Sequence, residues 1–350
     1  MKPLHRLACI IAVLLAGMSP TARAQQPEAL WYLVKSDASI QSFLAHADQI
    51  SVVAPQSYAM NKLGKISGDV DPRVIRAAHE HHVRVIPLVV NPGFDQSIVH
   101  RIVSVPSVTK RALRSLAALC RKGHYDGIQF DFEDINVADG PAFTKFVRVA
   151  ADSVHRAGCT LSAAVVPRTS DSPGPTSFHK WIFKNWRGAY DYKALADALD
   201  FISYMTYAQH TGGTTPGPVA GYRWMEAALQ FVLSLGVPPS KISLGIPSYS
   251  DWWYPTYSAK DGSRARGSDI SYARAETLLA RNHATRTWDD RDKVYYSFWD
   301  DDGTNEFLWE EEARAFTAKR ALVTQYKLRG YSVWVLGTED PAVWTAGAAH

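Results

Sequence analysis

The stretch His124-Tyr125-Asp126-Gly127-Ile128-Gln129-Phe130-Asp131-Phe132-Glu133-Asp134 alternates in character. With period 2 it sets Ile128, Phe130 and Phe132 on one face and Gly127, Gln129, Asp131 and Glu133 on the other, the pattern of a strand. Apolar runs on either side imply that this strand is covered by helices. A carboxylate on a covered strand must be paired, hydrogen-bonded or protonated, because burying an isolated charge is costly. Asp131 and Glu133 are two residues apart, which separates their Cα atoms by ~6.5 Å on one face. At that spacing one group can stay ionised while the other holds its proton, the division a general acid near neutral pH requires. A structural acid pair and a divalent-metal site are the competing readings of the spacing alone.

Outward from this strand the chain repeats one unit. Strands are expected at Leu30–Val34, Ile50–Ala54, Val83–Val90, Gly127–Phe132, Thr160–Val166, Phe201–Tyr207, Ile242–Ile246 and Tyr331–Val335. Helices are expected between them, including Pro72–His82 with Asp71 as its cap, Pro106–Arg121, Ala142–Ala157, Tyr192–Leu199, Gly221–Leu235 and Trp309–Leu328. Eight strands alternating with helices describe an α/β fold, a single (β/α)8 TIM barrel. A doubly wound open sheet is the alternative, but no glycine-rich phosphate loop follows the first strand. Residues 248–308 interrupt the alternation with aromatic clusters and a hairpin signal, Val294–Phe298, Asp301-Asp302-Gly303, Phe307-Leu308-Trp309. They read as a small α+β insertion between strands 7 and 8, on the side where barrel loops build the site.

The first 24 residues read as a secretory signal peptide. Lys2, His5 and Arg6 precede the apolar run Leu7–Met18, and Ala22-Arg23-Ala24 offers a small-residue cleavage site. Residues 25–350 are then the catalytic domain, secreted or periplasmic, with no apolar stretch long enough to span a membrane. The formal charge of +4 falls to +1 once Lys2, Arg6 and Arg23 leave, which argues against a nucleic-acid partner. With 46% hydrophobic and 21% charged residues the composition is that of an ordinary globular chain, expected as a monomer. Cys120 and Cys159 remain, either as a disulfide or as two buried thiols.

Four separate motifs resemble glycoside hydrolase family 18, the chitinase-like enzymes. Asp126-Gly127-Ile128-Gln129-Phe130-Asp131-Phe132-Glu133 stands where that family carries Asp-Gly-x-Asp-x-Asp-x-Glu. Met205-Thr206-Tyr207, the run from Gly236-Val237-Pro238-Pro239-Ser240-Lys241 to Leu244-Gly245-Ile246-Pro247, and Gly330-Tyr331-Ser332-Val333-Trp334-Val335-Leu336-Gly337 follow in the family's order. The seventh-strand spacing and Trp309-Glu310-Glu311-Glu312-Ala313-Arg314 look most like the branch of spore-cortex and peptidoglycan N-acetylglucosaminidases and chitobiase-like enzymes.

The resemblance implies a retaining glycosidase without cofactor or metal, whose nucleophile is the substrate's own 2-acetamido oxygen. Glu133 would be the acid and base, Asp131 would orient the acetamido group, and Tyr207 would donate to its carbonyl. Trp334 would floor the sugar, with Gln129, Asp126, Met205, Trp252 and Trp253 as further substrate-binding positions. Two positions depart from the pattern. Gln129 replaces the middle aspartate, and Ala208 replaces the aspartate that commonly follows the tyrosine, with Gln209 or His210 as possible substitutes for it.

The remaining motifs divide between functional and structural readings. Trp252, Trp253, Tyr254 and Tyr257 form either a sugar platform or the insertion's own core. Asp300-Asp301-Asp302-Gly303 lacks calcium-loop spacing and reads as a turn, and His79-Glu80-His81-His82 lacks the i, i+4 histidine pair of a zinc helix. The function expected is cleavage of β-1,4-linked N-acetylglucosamine glycans, chitin oligosaccharides or peptidoglycan. An endo-β-N-acetylglucosaminidase on N-glycans, a non-catalytic carbohydrate-binding protein and a metal-dependent hydrolase are the alternatives.

Overall fold

The computed structural model describes residues 26–259 and 262–345; the signal-peptide reading of residues 1–24 falls outside them. Eight parallel strands close into a barrel: β1 (Glu28–Leu33), β2 (Val52–Met60), β3 (Arg84–Val85 and Leu88–Val90), β4 (Gly127–Asp131), β5 (Thr160–Val165), β6 (Phe201–Tyr204), β7 (Ile242–Pro247) and β8 (Gly330–Trp334). Each pairs with its neighbours in sequence order, and β1 pairs with both β2 and β8, so the barrel strands have no free edge. Around it lie helices α1 (Asp37–His46), α2 (Pro72–Glu80), α3 (Gln96–Ser104), α4 (Pro106–Gly123), α5 (Gly140–His155), α6 (Ser177–Ile182), α7 (Tyr192–Ala198), α8 (Tyr222–Ser234), α9 (Tyr272–Asn282) and α10 (Ala313–Gln325). Among the described residues none of these is long and apolar enough to cross a membrane.

Burial follows the period-2 pattern. Ile128, Phe130 and Phe132 join the core between barrel and helices, where Phe130 stacks on Phe132 at 4.9 Å between ring centroids. The other face climbs the inside of the barrel. Low in the interior, Leu30, Val52, Ile86 and Phe201 form an apolar plug. Above it Gln129 is fully buried: Tyr32 donates its hydroxyl to Gln129 Oε1 at 2.8 Å, and Gln129 Nε2 donates to Ser162 Oγ and Ser203 Oγ. Asp131 comes next, and Glu133 stands just past the strand's end. At Gly127 a Cβ would lie 2.2 Å from Thr160 Oγ1, so only glycine admits the β4–β5 approach.

Three expectations need correction. The third strand is two short pieces, because Pro87 has no amide hydrogen to donate to the ladder. The stretch Gln96–Ser104, not foreseen as helical, is a helix with Asp95 as its cap, the carboxylate accepting from Ser97 N. Trp309 and Glu310 are not helical: they end the strand Thr304–Glu310, where Trp309 faces Asp251 on one side and Tyr296 on the other. Glu312 then caps α10, accepting from Arg314 N and Ala315 N, so the helix begins at Ala313, four residues later than expected.

Between β7 and β8 stands an antiparallel five-stranded sheet with α9 packed on one face. Its hairpin Val294–Asp301/Thr304–Glu310 turns at Asp302 and Gly303, both with positive φ, and Asp300 Oδ1 accepts from Gly303 N. That is the turn reading of the aspartate run. Cys120 at the end of α4 and Cys159 before β5 are joined in a disulfide, their Cα atoms 6.0 Å apart. A buried ion pair, Lys319 with Glu311, ties α10 to the end of the inserted sheet.

Candidate active site

The C-terminal mouth of the barrel holds a cavity of about 320 Å³ whose lining includes Asp131, Glu133, Tyr207, Trp334 and Met205, five of the positions expected from sequence. The sequence brings them together because Asp131 and Glu133 lie at the end of β4, Met205 and Tyr207 just past β6 and Trp334 at the end of β8, and parallel strands bring their C-terminal ends to one face. Ala208 also lines the cavity, at φ 55°.

The two carboxyl groups differ in their surroundings. Asp131 is buried, with Oδ2 at 3.5 Å from the Gln56 amide and Oδ1 without any partner. Burial pushes its pKa up to about 6, opposed by the Gln56 contact. Glu133 is pushed to about 8, first by burial and then by the charge of Asp131, while the hydrogen bond from Trp186 pulls the other way. Trp186 Nε1 donates to Glu133 Oε2 at 2.8 Å. Two carboxyls lining one cavity titrate as a pair, and burial together with the charge of Asp131 favours the proton on Glu133. Burial also holds the phenols of Tyr207 and Tyr249 in the cavity wall protonated, as hydrogen-bond donors.

The backbone of Glu133 is clamped. Asn91, fully buried, accepts from Glu133 N and donates to Glu133 O, both at 3.0 Å. Across the mouth, α6 and the following π-helical turn Phe183–Arg187 carry Trp186. Gln96 tethers this segment by donating to Asn185 O and to Asp134 O. The sequence does not single out Trp186, Gln56 or Tyr249, and it marks Asn91 only as part of the loop Asn91-Pro92-Gly93-Phe94 that could close one end of the cleft. Trp186 lies in a loop rich in Pro and Trp on the correct side of the barrel, but its contact with Glu133 spans 53 residues and leaves no local signal.

Four expected positions lie elsewhere. Gln129 is beneath the cavity, its amide fully engaged by Tyr32, Ser162 and Ser203. Asp126 is exposed at the opposite end of β4, where Oδ2 accepts from Val85 N at 2.8 Å and fixes the β3–β4 start. Trp252 packs toward α9, stacked on Tyr254 and donating to Glu306, and Trp253 is buried edge-on against Trp309. Both tryptophans belong to the inserted sheet because alternate residues of that strand are taken up by its two packed faces. Gln209 and His210 do not replace the aspartate missing at 208. Gln209 accepts from Gly221 N, and His210 Nδ1 is 2.9 Å from Thr215 O within its own loop. His79, His81 and His82 are exposed at the end of α2, and among the described residues no three His, Cys, Asp or Glu side chains are grouped to hold a metal ion.

A family model for the glycosyl hydrolases family 18 matches residues 34–339, nearly the whole chain. The chain belongs to family 18. It is 25% identical over 321 residues to the glycosylase YvbX of Bacillus subtilis strain 168, covering 90% of this chain and 89% of that protein. It is 28% identical over 255 residues to the cortical fragment-lytic enzyme of the same organism, covering 73% of this chain and 56% of that one. The crystal structure of a chitinase from Chromobacterium violaceum ATCC 12472 superposes with a TM-score of 0.81 at 26% identity, over 93% of this chain and 99% of the other. The protein is thus a family 18 glycosidase on a TIM barrel, related to chitinases and cortex-lytic enzymes.

Proposed function

We propose that the protein is a retaining glycoside hydrolase that cleaves β-1,4-linked N-acetylglucosamine glycans, chitin oligosaccharides or peptidoglycan, by substrate-assisted catalysis. The observation that carries this reading is the buried, partnerless Oδ1 of Asp131 in the same cavity as Glu133, whose pKa burial and the Asp131 charge raise. An acetamido N–H is a donor that would satisfy Oδ1. Glu133 then gives its proton to the glycosidic oxygen as the C–O bond breaks, and the acetamido oxygen closes on the anomeric carbon to form an oxazolinium ion. Asp131, ionised above about pH 6, stabilises that cation. Glu133, now a carboxylate, takes a proton from the water that opens the ring with retained configuration. Tyr207 donates to the acetamido oxygen, and the apolar face of the sugar lies on Trp334. Residues 25–350 form the mature catalytic unit, exported after loss of residues 1–24.

Both substrate classes are supported by the relatives, whose names include a chitinase and a cortical fragment-lytic enzyme. The test is mass spectrometry of products from chitin oligosaccharides, purified peptidoglycan strands and a high-mannose glycopeptide, with wild type beside Glu133→Gln. Cleavage of a chitin or peptidoglycan substrate by wild type alone is expected. Binding without cleavage by the wild type would replace the enzyme with a carbohydrate-binding protein.

A further inference from the structure

Three buried donors without a hydrogen-bond partner lie in one neighbourhood: Thr144 Oγ1, Arg168 Nε and Arg187 Nε. Thr144 and Arg168, each 8% exposed, line a cavity of about 550 Å³ between the start of α5 and residues 188–193. It shares no lining residue with the catalytic cavity. A threonine inside a helix ordinarily gives its hydroxyl to the carbonyl four residues back. In α5 this one does not, and its Oγ1 is left in the cavity wall. Gly140 and Pro141, also in the wall, belong to the first turn of α5. That helix has 16 residues and its cap, Asp139, makes no side-chain capping bond, so the positive end of the helix faces the same space.

The two arginines carry charge that the protein leaves under-compensated. Arg168 Nη1 donates to Arg187 O and Nη2 to Asp171 Oδ1, while its guanidinium lies 4.7 Å from the centre of the Tyr192 ring. Arg187 is half-buried, and burial pulls its pKa down. Among the described residues the one carboxylate paired with either guanidinium is Asp171, whose side chain is 65% exposed. A carboxylate so open to water is displaced at little cost. Asp191 and Lys193 line the cavity too, but each is engaged: Asp191 caps α7 through Ala194 N, and Lys193 pairs with Asp197. Unmatched buried donors require an acceptor, and a buried cation without a counter-ion requires an anion.

We infer that this cavity binds a small oxyanion, a phosphate or a carboxylate, with the Arg168 guanidinium and the Thr144 hydroxyl as its donors and the first turn of α5 behind it. The site is separate from the glycan cleft and does not depend on which glycan is cleaved. It has a route to the acid all the same. Tyr190, in the cavity wall, donates its hydroxyl to Phe132 O at 2.7 Å, one residue before Glu133. Arg168 holds Arg187 O, one residue after Trp186, which donates to Glu133. An ion that ties Arg168 to α5 therefore stiffens the turn that carries Trp186, because a ligand bound to the closed form suppresses local opening.

The experiment is calorimetric titration of wild type, Asp171→Asn and Thr144→Val with inorganic phosphate and with succinate, at fixed ionic strength. Wild type should bind one ion, and the probe that saturates identifies the source, phosphate or carboxylate. Asp171→Asn removes the competing carboxylate and should bind roughly tenfold more tightly, as a freed charge-assisted contact gives. Thr144→Val keeps the shape of the side chain, removes one donor and should bind roughly fivefold more weakly. Circular dichroism checks that both variants fold, and the exposed Asp171→Asn decides alone if Thr144→Val does not. In hydrogen exchange the saturating ion should slow the amides of residues 183–190, and binding without that protection overturns the link to the Trp186 turn. Absence of saturable wild-type binding with both probes overturns the inference, including the case in which only Asp171→Asn binds, since Asp171 is then the site's own anion. An affinity unchanged in either folded variant puts the ion elsewhere and overturns it equally.

Discussion

Replacing Glu133 by Gln should abolish cleavage and make the protein more stable, increasingly so as pH rises. In the unfolded chain this carboxyl titrates near 4.5, and in the fold it is pushed to about 8 by burial and by Asp131. Between those values the folded state holds a proton that the unfolded chain has released. Stability therefore falls as pH rises through this window, and below it the group contributes no difference. The full shift sets an upper bound of about 5 kcal/mol, and water in an open cavity reduces this to about 1–3 kcal/mol. Glutamine keeps the shape, can still accept from Trp186, and has no proton to lose. In thermal melts the Gln variant should come close to wild type near about pH 5 and exceed it by roughly 2–4 °C near about pH 8.5. An offset that does not change with pH, or a wild type more stable than the variant at the alkaline end, would refute the assignment of the high-pKa proton to Glu133.

Three further outcomes are expected. Trp186→Phe removes the donor that stabilises the ionised Glu133. The alkaline limb of kcat/KM against pH should move upward from about 8 by about one unit, and a limb that stays in place or moves down counts against that role. Asn91→Ala leaves the amide and carbonyl of Glu133 without their clamp. A loss of about 2–4 kcal/mol in urea unfolding and a fall of about 10–100-fold in kcat should follow, and a full-activity variant would dismiss Asn91 as a positioning residue. Replacing Cys120 and Cys159 together by Ser opens a covalent loop with a sequence separation of 39 residues. Denaturant titration should show about 3–4 kcal/mol lost, and an identical midpoint with and without the bridge would contradict it.

Much of the barrel was legible because its pattern is local. Each strand announces itself by a short apolar run, and the alternation in β4 set Phe130 outward and Asp131 inward before any contact was known. The end of the seventh unit was less legible. Trp309-Glu310-Glu311-Glu312 reads as helix by propensity, yet Trp309 and Glu310 are held in a strand by ladder partners on both sides, and only Glu312 starts the helix. The tryptophans of the insertion misled for a related reason. Trp252 and Trp253 have the residue type of a sugar platform, but whether an aromatic meets a ligand or a neighbouring side chain depends on which sheet face is covered.

The sequence by itself determined the family, the barrel and the identity of the carboxylate pair, since these rest on spacing along single strands and on motifs in order. Tertiary structure decided what the pair is worth chemically. Trp186 on Glu133, Gln56 on Asp131 and Asn91 around the Glu133 backbone arrive from a helical turn, a strand and a strand end 53, 75 and 42 residues away. Burial raises both carboxyls, and the charge of Asp131 raises Glu133 further. A pKa is set by everything within a few ångströms of a carboxyl in three dimensions, and separation along the chain carries no record of it.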